Sequence, residues 1–422
     1  MNSKQPLYQK IAETIKARIA SGEYRPGQKI PPIRNLTSSL GVNKATVHKA
    51  FEQLKREGLI DNKVGSGSYV RFPEKIYAPS GFFDFRTDYL NERFFPYQQA
   101  QSIFNQLFES EKAHALAPTP VEGDPELLRV LSRRYHLPAE RMLIISGAQQ
   151  GLDLVSKVFS AKISESILFE DPTYPGAISL FKARYFVPLQ NDGPDLDQLD
   201  RSLSTNIQLF YTMPSVHNPT GISYSMVKKE AVAQRAQDHG FYVIEDDYLG
   251  ELNGRAPRMI DIEPQRTIHI KSFAQTTLAG IRLGLMVVPE DLYAQFIYAK
   301  YSSDISSSGL LQKFLREFIT LGHYDQHLKK VVKRAAQRRA RLAALFAQFP
   351  FLTQYPGQSG YSIWCGSALP MPVTDAPWSP GQEFSFSQEF NRYFKLSFMH
   401  LDEEEFTEGI AYLQNYLTLA RS

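Results

Sequence analysis

Apolar residues in the first 75 positions recur at helical spacing. Leu7, Ile11, Ile15 and Ile19 lie four residues apart, which predicts a helix that ends near Gly22. "PPIRNLTSSLG" predicts a second, short helix, and "NKATVHKAFEQLKREG" predicts a third that is capped by its first asparagine. "LIDNKVGSGSYV" predicts two short strands around a Gly-Ser-Gly turn. Three helices followed by a hairpin predict a winged helix-turn-helix.

From Phe82 onward, apolar runs alternate with amphipathic helical segments. "RMLIISGAQQGLDLVSKVF" and "ESILFEDPTYPGAISLF" each predict a strand, a loop and a helix, while "IQLFYTMPSVHNPTG" and "GFYVIEDDYLGEL" predict strands that end in polar loops. This alternation predicts an α/β body with a mostly parallel sheet. Ligands bind at the carboxyl ends of the strands in such sheets. A small α/β subdomain is expected at the C-terminus.

These patterns predict three segments along the chain. We expect a winged-helix head over residues 1–72, a linker over residues 73–81, and a body over residues 82–422 whose C-terminal subdomain begins at about residue 325. The linker region "RFPEKIYAPSG" is bounded by prolines and a glycine, and a chain of that length spans at most about 35 Å. The head is therefore expected to stay close to its body.

Composition indicates an ordinary globular protein of two or three domains. The 422 residues are 43% hydrophobic and 22% charged. Cys365 is the single cysteine, so an internal disulfide is excluded. The start of the chain lacks the apolar core of a signal peptide, and no apolar run has membrane-spanning length. We therefore expect a cytoplasmic protein, and we predict no metal site.

Charge is distributed unevenly between the head and the body. Residues 1–75 carry 14 Lys and Arg against 6 Asp and Glu, whereas the rest of the chain is mildly acidic. A basic module on an acidic body predicts nucleic-acid binding by the head. The alternative is a basic domain whose lysines form only a solvated surface.

The head resembles GntR-type DNA-binding domains, which run from "LY" through "P-x-x-R-x-L" and "T-V-x-x-A" to "G-x-G-x-x-V". The matching segments are Leu7-Tyr8, Pro32 to Leu36, Thr46 to Ala50, and Gly65 to Val70. In such domains the third helix enters the major groove, while other contacts hold the phosphate backbone. The residues expected to contact double-stranded DNA are Arg34, Lys44, Ala45, Thr46, His48, Gly65, Ser66 and Gly67.

In the body, small and phosphate-binding residues stand at the predicted strand ends. Gly147, Ala148 and Gln149 open a helix, where free backbone N–H groups and the helix dipole favour a phosphate. Ser272 and Arg282 also suit phosphate oxygens, the arginine with two donors. These residues predict a phosphate site.

Other residues at the strand ends suit an aromatic ring. Asp246 follows the apolar run "FYVI", and a buried carboxylate there requires a cation, for which a protonated pyridine nitrogen is suitable. Asn218 precedes a Pro-Thr-Gly turn, and Tyr248 points the same way as Asp246 along an extended chain. Tyr174 suits stacking on a ring, although a core tyrosine is equally compatible with its pattern.

In this order, the residues resemble the cofactor site of fold-type I aminotransferases, and the resemblance covers most of residues 82–422. It implies a site for pyridoxal 5′-phosphate (PLP) in which Asp246 pairs with the pyridine nitrogen and Tyr174 stacks on the ring. Asn218 and Tyr248 would bond the 3-hydroxyl. The phosphate would be held by Gly147, Ala148, Gln149, Ser272 and Arg282.

A GntR head joined to an aminotransferase-like body is the organisation of the MocR subgroup of GntR transcriptional regulators. This resemblance implies a homodimer in which each head lies near the partner's body. It also implies that PLP or one of its adducts is the effector. Paired heads would suit paired half-sites on an operator.

Two positions depart from the enzymes that the body resembles. In "HIKSFAQTTLAGIRLG" the position seven residues before Arg282 holds Gln275, where the family has the lysine that forms the Schiff base and moves protons. Lys395 stands where an arginine clamps the substrate carboxylate, and it offers only a point charge. We therefore predict no catalytic residue and no transamination. Instead, Gln275 would contact PLP, pyridoxamine phosphate or a PLP–amino acid adduct without a covalent link.

Several alternatives stay open. Lys271 would replace the missing lysine if the strand before the loop shifted its register. The protein could be an aminotransferase that carries a DNA-binding head, or a dimeric DNA-binding scaffold without a ligand. An engineered change at position 275 would leave the remaining inferences intact. The basic run from His327 to Phe346 is expected to be a helix with a solvated basic face, in preference to a second DNA contact.

Overall fold

The computed structural model divides into two compact units, residues 1–81 and residues 82–422. The residues it describes are 6–20, 24, 29–56, 59–63, 67–70, 83–159, 167–181, 184–203, 206–254, 256–357, 359–371, 376–385 and 387–420. The predicted linker, residues 73–81, lies outside the described residues, as do Gly65 and Ser66 of the expected DNA contacts.

The first unit is a winged helix-turn-helix, as predicted. Its elements are α1 (Leu7–Ala20), α2 (Ile33–Leu40), α3 (Lys44–Arg56), β1 (Ile60–Lys63) and β2 (Gly67–Val70). The two strands pair antiparallel. The apolar faces of the helices form one core, which includes Ile11, Ile15, Val47, Phe51 and Leu54.

The turn between α2 and α3 is built by two residues that sequence reasoning singled out. Helix α2 ends at Gly41, whose left-handed backbone (φ +62°) lets its N–H bond the carbonyl of Thr37. Asn43 then caps α3, because its side-chain oxygen accepts the backbone N–H of Thr46 at 2.8 Å. The start of α3 is thereby fixed.

The second unit is a helix-covered mixed sheet with a smaller sheet near the C-terminus. Its helices are α4 (Tyr97–Glu111), α5 (Pro125–Tyr135), α6 (Ala148–Phe159), α7 (Pro175–Ile178), α8 (Leu196–Leu203), α9 (Met226–His239), α10 (Met259–Ile262), α11 (Tyr293–Asp304), α12 (Gly309–Thr320), α13 (His323–Phe346) and α14 (Glu403–Ala420). Its strands are β3 (Met142–Ile145), β4 (Ile167–Asp171), β5 (Arg184–Gln190), β6 (Gly193–Pro194), β7 (Leu209–Thr212), β8 (Tyr242–Asp246), β9 (Thr267–Ser272), β10 (Gly284–Val287), β11 (Leu352–Gln354), β12 (Ser362–Ser367), β13 (Ser379–Pro380) and β14 (Tyr393–Ser397).

The large sheet has the strand order β3-β10-β9-β8-β7-β4-β5-β6. Strands β9, β8, β7, β4 and β5 run parallel to one another, whereas β10 is antiparallel to both β3 and β9, and β6 is antiparallel to β5. Strand β3 therefore points the same way as the parallel strands. Because helices cover both faces, strands such as β3 and β9 are buried along their whole length.

The small sheet is antiparallel, in the order β11-β12-β14-β13. Its apolar residues continue the core of the large sheet, so that Phe394 and Leu396 of β14 belong to the same buried cluster as Ile268 and Ile270 of β9. No helix in the described part of the chain is long and apolar enough to span a membrane.

Two elements differ from their sequence expectation. Helix α7 is a single turn rather than an amphipathic helix, since it is only four residues long. The basic helix α13 does not present all of its cations to solvent. Arg338 is buried and donates to the carbonyls of Phe398, Leu401 and Asp402, so that this arginine joins the helix to the chain after β14.

Gly123 offers a test of the packing beneath β3. Its φ of +126° disfavours any side chain, and an added Cβ would lie 2.4 Å from Cγ1 of Ile144. We expect Gly123→Ala to lower the melting temperature of the body by at least about 3 °C, because strain and overpacking add. Gly280→Ala is the matched control, since no atom lies within 4 Å of its Cβ position. Equal melting temperatures for the two variants would contradict the packing described here.

Candidate cofactor site

Sheet topology brings the predicted residues to one edge. Asp246 is the last residue of β8 and Ser272 the last of β9, while Gly147 follows β3 by two residues. These strands point the same way, so their carboxyl ends share an edge. Arg282 lies just before β10, and because β10 runs antiparallel, its start lies at that edge as well.

The first part of the site is an anion site at the start of α6. Gly147 has a φ of +87°, and a Cβ there would lie 3.1 Å from an Nη atom of Arg282, so the guanidinium lies directly over this glycine. Arg282 itself has a left-handed backbone, and it donates to the carbonyl of Ser146 at 3.0 Å. Its exposed guanidinium forms no ion pair with any carboxylate among the described residues. Together with the free N–H groups of a helix start, this cation favours a phosphate.

Asp246 is a buried carboxylate that forms no ion pair with any other described residue. Tyr211 of β7 donates to its Oδ2 at 2.8 Å, but Oδ1 has no hydrogen-bond partner among the described residues. Burial raises the pKa of Asp246 to about 7, although the bond from Tyr211 acts in the opposite direction. A ligand that donates an N–H to Oδ1 would satisfy the orphaned oxygen.

Tyr174 is influenced by both Asp246 and Arg282. Burial raises the pKa of its hydroxyl, the charge of Asp246 raises it further, and the charge of Arg282 acts to lower it. The ring lies over Gly176, where a Cβ would come within 2.4 Å of Tyr174 atoms. Gln149 of α6 donates to the Gly176 carbonyl at 3.0 Å, which ties the start of α6 to this turn.

Asn218 and Tyr248 are the two remaining candidates for contacts with a ring. The Asn218 Oδ1 accepts from Nζ of Lys395 at 2.8 Å, so the NH₂ group of this amide is turned the other way. Tyr248 is buried, and burial followed by the charges of Asp88 and Asp246 holds the pKa of its hydroxyl well above the usual range. Both side chains therefore offer donors to a ring oxygen.

Gln275 follows the end of β9 in a loop that is held at several points. Its backbone carbonyl accepts from the Tyr361 hydroxyl at 2.9 Å, and Thr276 bonds Tyr324 of α13 at 2.8 Å. The side-chain Oε1 of Gln275 is buried without a partner among the described residues. The Gln275 Oε1 is therefore, like Asp246 Oδ1, a buried acceptor without a partner in the described part of the chain.

The structure places Lys271 on the other face of β9 from Ser272, because successive side chains alternate. Its Nζ lies 2.6 Å from Glu251 and 3.5 Å from Asp247. Burial acts to lower the pKa of Lys271, but these two carboxylates raise it above the usual range. An ammonium held in this way is not a nucleophile, and it is directed away from the anion site.

Sequence reasoning missed three contributors to the site: Tyr211, Tyr361 and Asp88. Tyr211 lies within the apolar run "IQLFY" of β7, so the sequence contains no indication of a polar role apart from its hydroxyl. Asp88, in "RTDYL", is remote in sequence and pairs with Lys395.

In the head, Lys44, Ala45 and His48 are exposed at the start of α3, while the Thr46 hydroxyl bonds Asn43. The described residues contain no cluster of three or more potential metal ligands.

Residues 91–369, about two thirds of the chain, match the family "Aminotransferase class I and II", and residues 7–70 match "Bacterial regulatory proteins, gntR family". The chain belongs to the aminotransferase class I and II family, and it carries a gntR-type head. This organisation is that of the MocR subgroup, so the protein is a GntR-type transcriptional regulator with an aminotransferase-like domain.

Similar proteins include both regulators and enzymes. The "uncharacterized HTH-type transcriptional regulator YcxD" of Bacillus subtilis is 29% identical over 79% of each chain. The "probable rhizopine catabolism regulatory protein MocR" of Rhizobium meliloti is 24% identical over 81% of this chain and 77% of its own. The 2-aminoadipate transaminase of Thermus thermophilus is 27% identical over 81% of this chain and 92% of its own.

Solved structures share the fold of the body. A multiple substrate aminotransferase from Thermococcus profundus superposes with a TM-score of 0.74 at 21% identity, over 82% of this chain and 93% of its own. The α-aminoadipate aminotransferase LysN of Thermus thermophilus, complexed with N-(5′-phosphopyridoxyl)-L-leucine, gives 0.72 at 24% identity over 81% and 93%. At these identities the likeness establishes the fold alone.

The raised pKa of Asp246 predicts a specific pH dependence of stability. A carboxyl whose pKa is higher in the folded than in the unfolded protein contributes stability at low pH that is lost as the pH rises through the folded value. We expect the free energy of unfolding of the ligand-free protein, relative to Asp246→Asn, to fall by up to about 4 kcal/mol between pH 4 and pH 8. Urea unfolding of both proteins across this range measures the difference.

Asp200 provides a control of opposite sign. Its hydrogen bond from Arg235 lowers the pKa of Asp200, so its contribution is lost as the pH falls. The wild type should therefore gain stability relative to Asp200→Asn as the pH rises. A pH-independent difference for Asp246→Asn would mean that this carboxyl titrates normally.

Proposed function

We propose that the body binds a phosphorylated B6 compound without a covalent link and that this binding regulates the affinity of the head for DNA. The observation that carries the proposal is the buried Oδ1 of Asp246, which has no hydrogen-bond partner in the part of the chain that the structure describes. In this proposal a protonated pyridine nitrogen donates to that oxygen and stabilises the ionised carboxylate, which the protein alone buries at a cost.

The remaining groups fit the same ligand. The exposed guanidinium of Arg282, which forms no ion pair with a described carboxylate, and the first amides of α6 suit its 5′-phosphate, with Ser272 as a further donor. Tyr174 suits the face of its ring, and the NH₂ of Asn218 and the hydroxyl of Tyr248 suit its 3-oxygen. When bound, PLP would supply an electrophilic carbonyl, whose oxygen could accept from the NH₂ group of Gln275. The Gln275 Oε1, which has no partner among the described residues, suits a donor such as the amine of pyridoxamine phosphate.

An amide at position 275 supports a regulator rather than a transaminase. It neither forms the covalent link nor moves protons between substrate and cofactor. Lys271 does not supply a substitute, because two carboxylates hold its ammonium on the other face of β9. The protein therefore binds its ligand reversibly and does not turn it over in this proposal.

The DNA-bound form is proposed to be a homodimer whose paired heads contact two half-sites of a double-stranded operator. The exposed start of α3, with Lys44, Ala45 and His48, is the surface that we assign to the major groove. Ligand binding regulates DNA affinity only if the ligand has different affinities for two arrangements of the dimer, one that binds DNA tightly and one that binds it weakly.

Covalent trapping tests the absence of a Schiff base. The protein is titrated with PLP, reduced with borohydride and weighed intact. We expect saturable PLP binding and no mass gain in the wild type, since position 275 has no amine. Gln275→Lys should gain the mass of one reduced phosphopyridoxyl group, whereas Gln275→Met should not.

A mass gain in the wild type would instead assign the covalent link to a native lysine, with Lys271 examined first.

Asp246→Ala should lose PLP binding, because the pyridine nitrogen then lacks its acceptor. DNA affinity is followed in parallel at fixed salt. Amine exchange between PLP and added amino acid in the wild type would favour an active aminotransferase. Failure of the wild type to bind PLP would leave the scaffold hypothesis.

The contribution of Lys44 to DNA binding is testable through salt dependence. If this lysine neutralises one phosphate, Lys44→Ala should weaken binding to all sequences and reduce the slope of log affinity against log salt by about 1. The exposed Arg129 of α5 pairs with Glu126, and Arg129→Ala serves as a control that keeps the slope. An unchanged slope for Lys44→Ala would remove this lysine from the interface.

A further inference from the structure

Lys395 is already neutralised by the protein itself. It lies on β14, only 2% exposed, with its Nζ above the ring of Phe384 at 5.2 Å from the centroid. The ammonium forms an ion pair with the carboxylate of Asp88, and it also donates to Asn218. Because Asp88 already compensates the charge of Lys395, the attraction of this ammonium for a ligand carboxylate is weak.

Asp88 is held in place for this contact. The hydroxyl of Ser397, two residues after Lys395 on the same strand, donates to its other carboxylate oxygen. The chain before Asp88 forms a turn in which the Asp84 carboxylate accepts the backbone N–H groups of Arg86 and Thr87. The hydrogen bond from Ser397 and the turn at Asp84 therefore fix the position of the Asp88 carboxylate.

A second ion pair lies close to Lys395. Arg86 lies 3.2 Å from Glu383, and the charges of Arg86 and Lys395 both act on the Glu383 carboxyl. Lys395 and Arg86 are thus each paired with a carboxylate of the protein. A ligand carboxylate would therefore compete with Asp88 for Lys395.

The location of this pair relative to the ring follows from Asn218. That amide touches Lys395 with its oxygen and faces the opposite way with its NH₂ group, which the proposed function assigns to the ring 3-oxygen. Because C4 neighbours C3 on the ring, a ligand held at its 3-oxygen by Asn218 would carry its C4 substituent within one residue's reach of the Lys395–Asp88 pair. The charge of Asp88 also contributes, after burial, to raising the pKa of Tyr174 and of Tyr248.

We infer that Asp88 takes the place of a ligand carboxylate as the internal counter-ion of Lys395. The site would therefore select phosphorylated pyridines whose C4 substituent carries no carboxylate, such as PLP, pyridoxamine phosphate or an adduct with a simple amine. This inference rests on the proposed B6 site and narrows its ligand class. An amino acid adduct must either displace Asp88 from a largely buried ion pair or place two carboxylates side by side, and both cost free energy.

Two ligands that differ by one carboxylate test this selection. N-(5′-phosphopyridoxyl)-L-leucine and N-(5′-phosphopyridoxyl)-3-methylbutylamine share the ring, the phosphate and the alkyl chain. We expect the full-length wild-type protein to bind the amine adduct at least tenfold more tightly in calorimetric titrations. In Asp88→Asn the ratio of the two dissociation constants should fall at least tenfold, because Lys395 is then free to pair with the leucine carboxylate.

The matched control is Asp200→Asn, which removes an exposed acid that pairs with Arg235 away from the site. It should keep the wild-type ratio. Because the ratio is measured first in the wild type, the inference stays testable even if Asp88→Asn folds poorly.

The outcomes separate the inference from the function on which it rests. Equal affinities in the wild type, or tighter binding of the leucine adduct, would overturn the selection while leaving B6 binding established. An unchanged ratio in a folded Asp88→Asn variant would remove Asp88 from the explanation. Failure of the wild type to bind either adduct or pyridoxamine phosphate would overturn the proposed function and the inference together.

Discussion

The body is organised around one buried carboxylate that the protein leaves partly unsatisfied. Asp246 ends β8, in the parallel run of the large sheet, and Tyr211 satisfies only one of its two oxygens. Burying a charge without a counter-ion costs several kcal/mol, and the carboxyl responds by holding its proton up to about pH 7. A ligand that supplies a donor to this oxygen would remove the cost, and the proposed function assigns that donor to a protonated pyridine nitrogen.

Much of this arrangement could be predicted from the sequence, because strands that are buried on both faces appear as apolar runs. The polar residue after each run, such as Asp246, Ser272 or Gly147, then marks a strand end, and parallel topology brings those ends to one edge. The fold of the head could be predicted equally well, because helical spacing defines its helices and Gly41 and Asn43 define the turn between two of them. These features depend on local sequence and on a general rule of sheet geometry.

Contacts between distant segments could not be predicted in this way. No pattern relates Asp88 to Lys395, which are joined only after β14 pairs into the small sheet. Periodicity identifies α13 as basic and amphipathic, but it does not reveal that Arg338 meets three carbonyls after β14 instead of solvent. The register of β9 likewise decides that Lys271 and Ser272 face opposite sides, and register is a property of the whole sheet.

The two departures from the enzyme pattern act in the same direction. A covalent anchor and a carboxylate clamp serve turnover, the first by activating the cofactor and the second by positioning an amino acid. In the proposed site, recognition of the ring and phosphate would depend on Asp246, Arg282 and the start of α6, which are separate from both. With Gln275 and an internally paired Lys395, occupancy would be set by reversible affinity alone and would follow ligand concentration. A regulator requires that property, because only a difference in reversible binding free energy between two states can shift their populations.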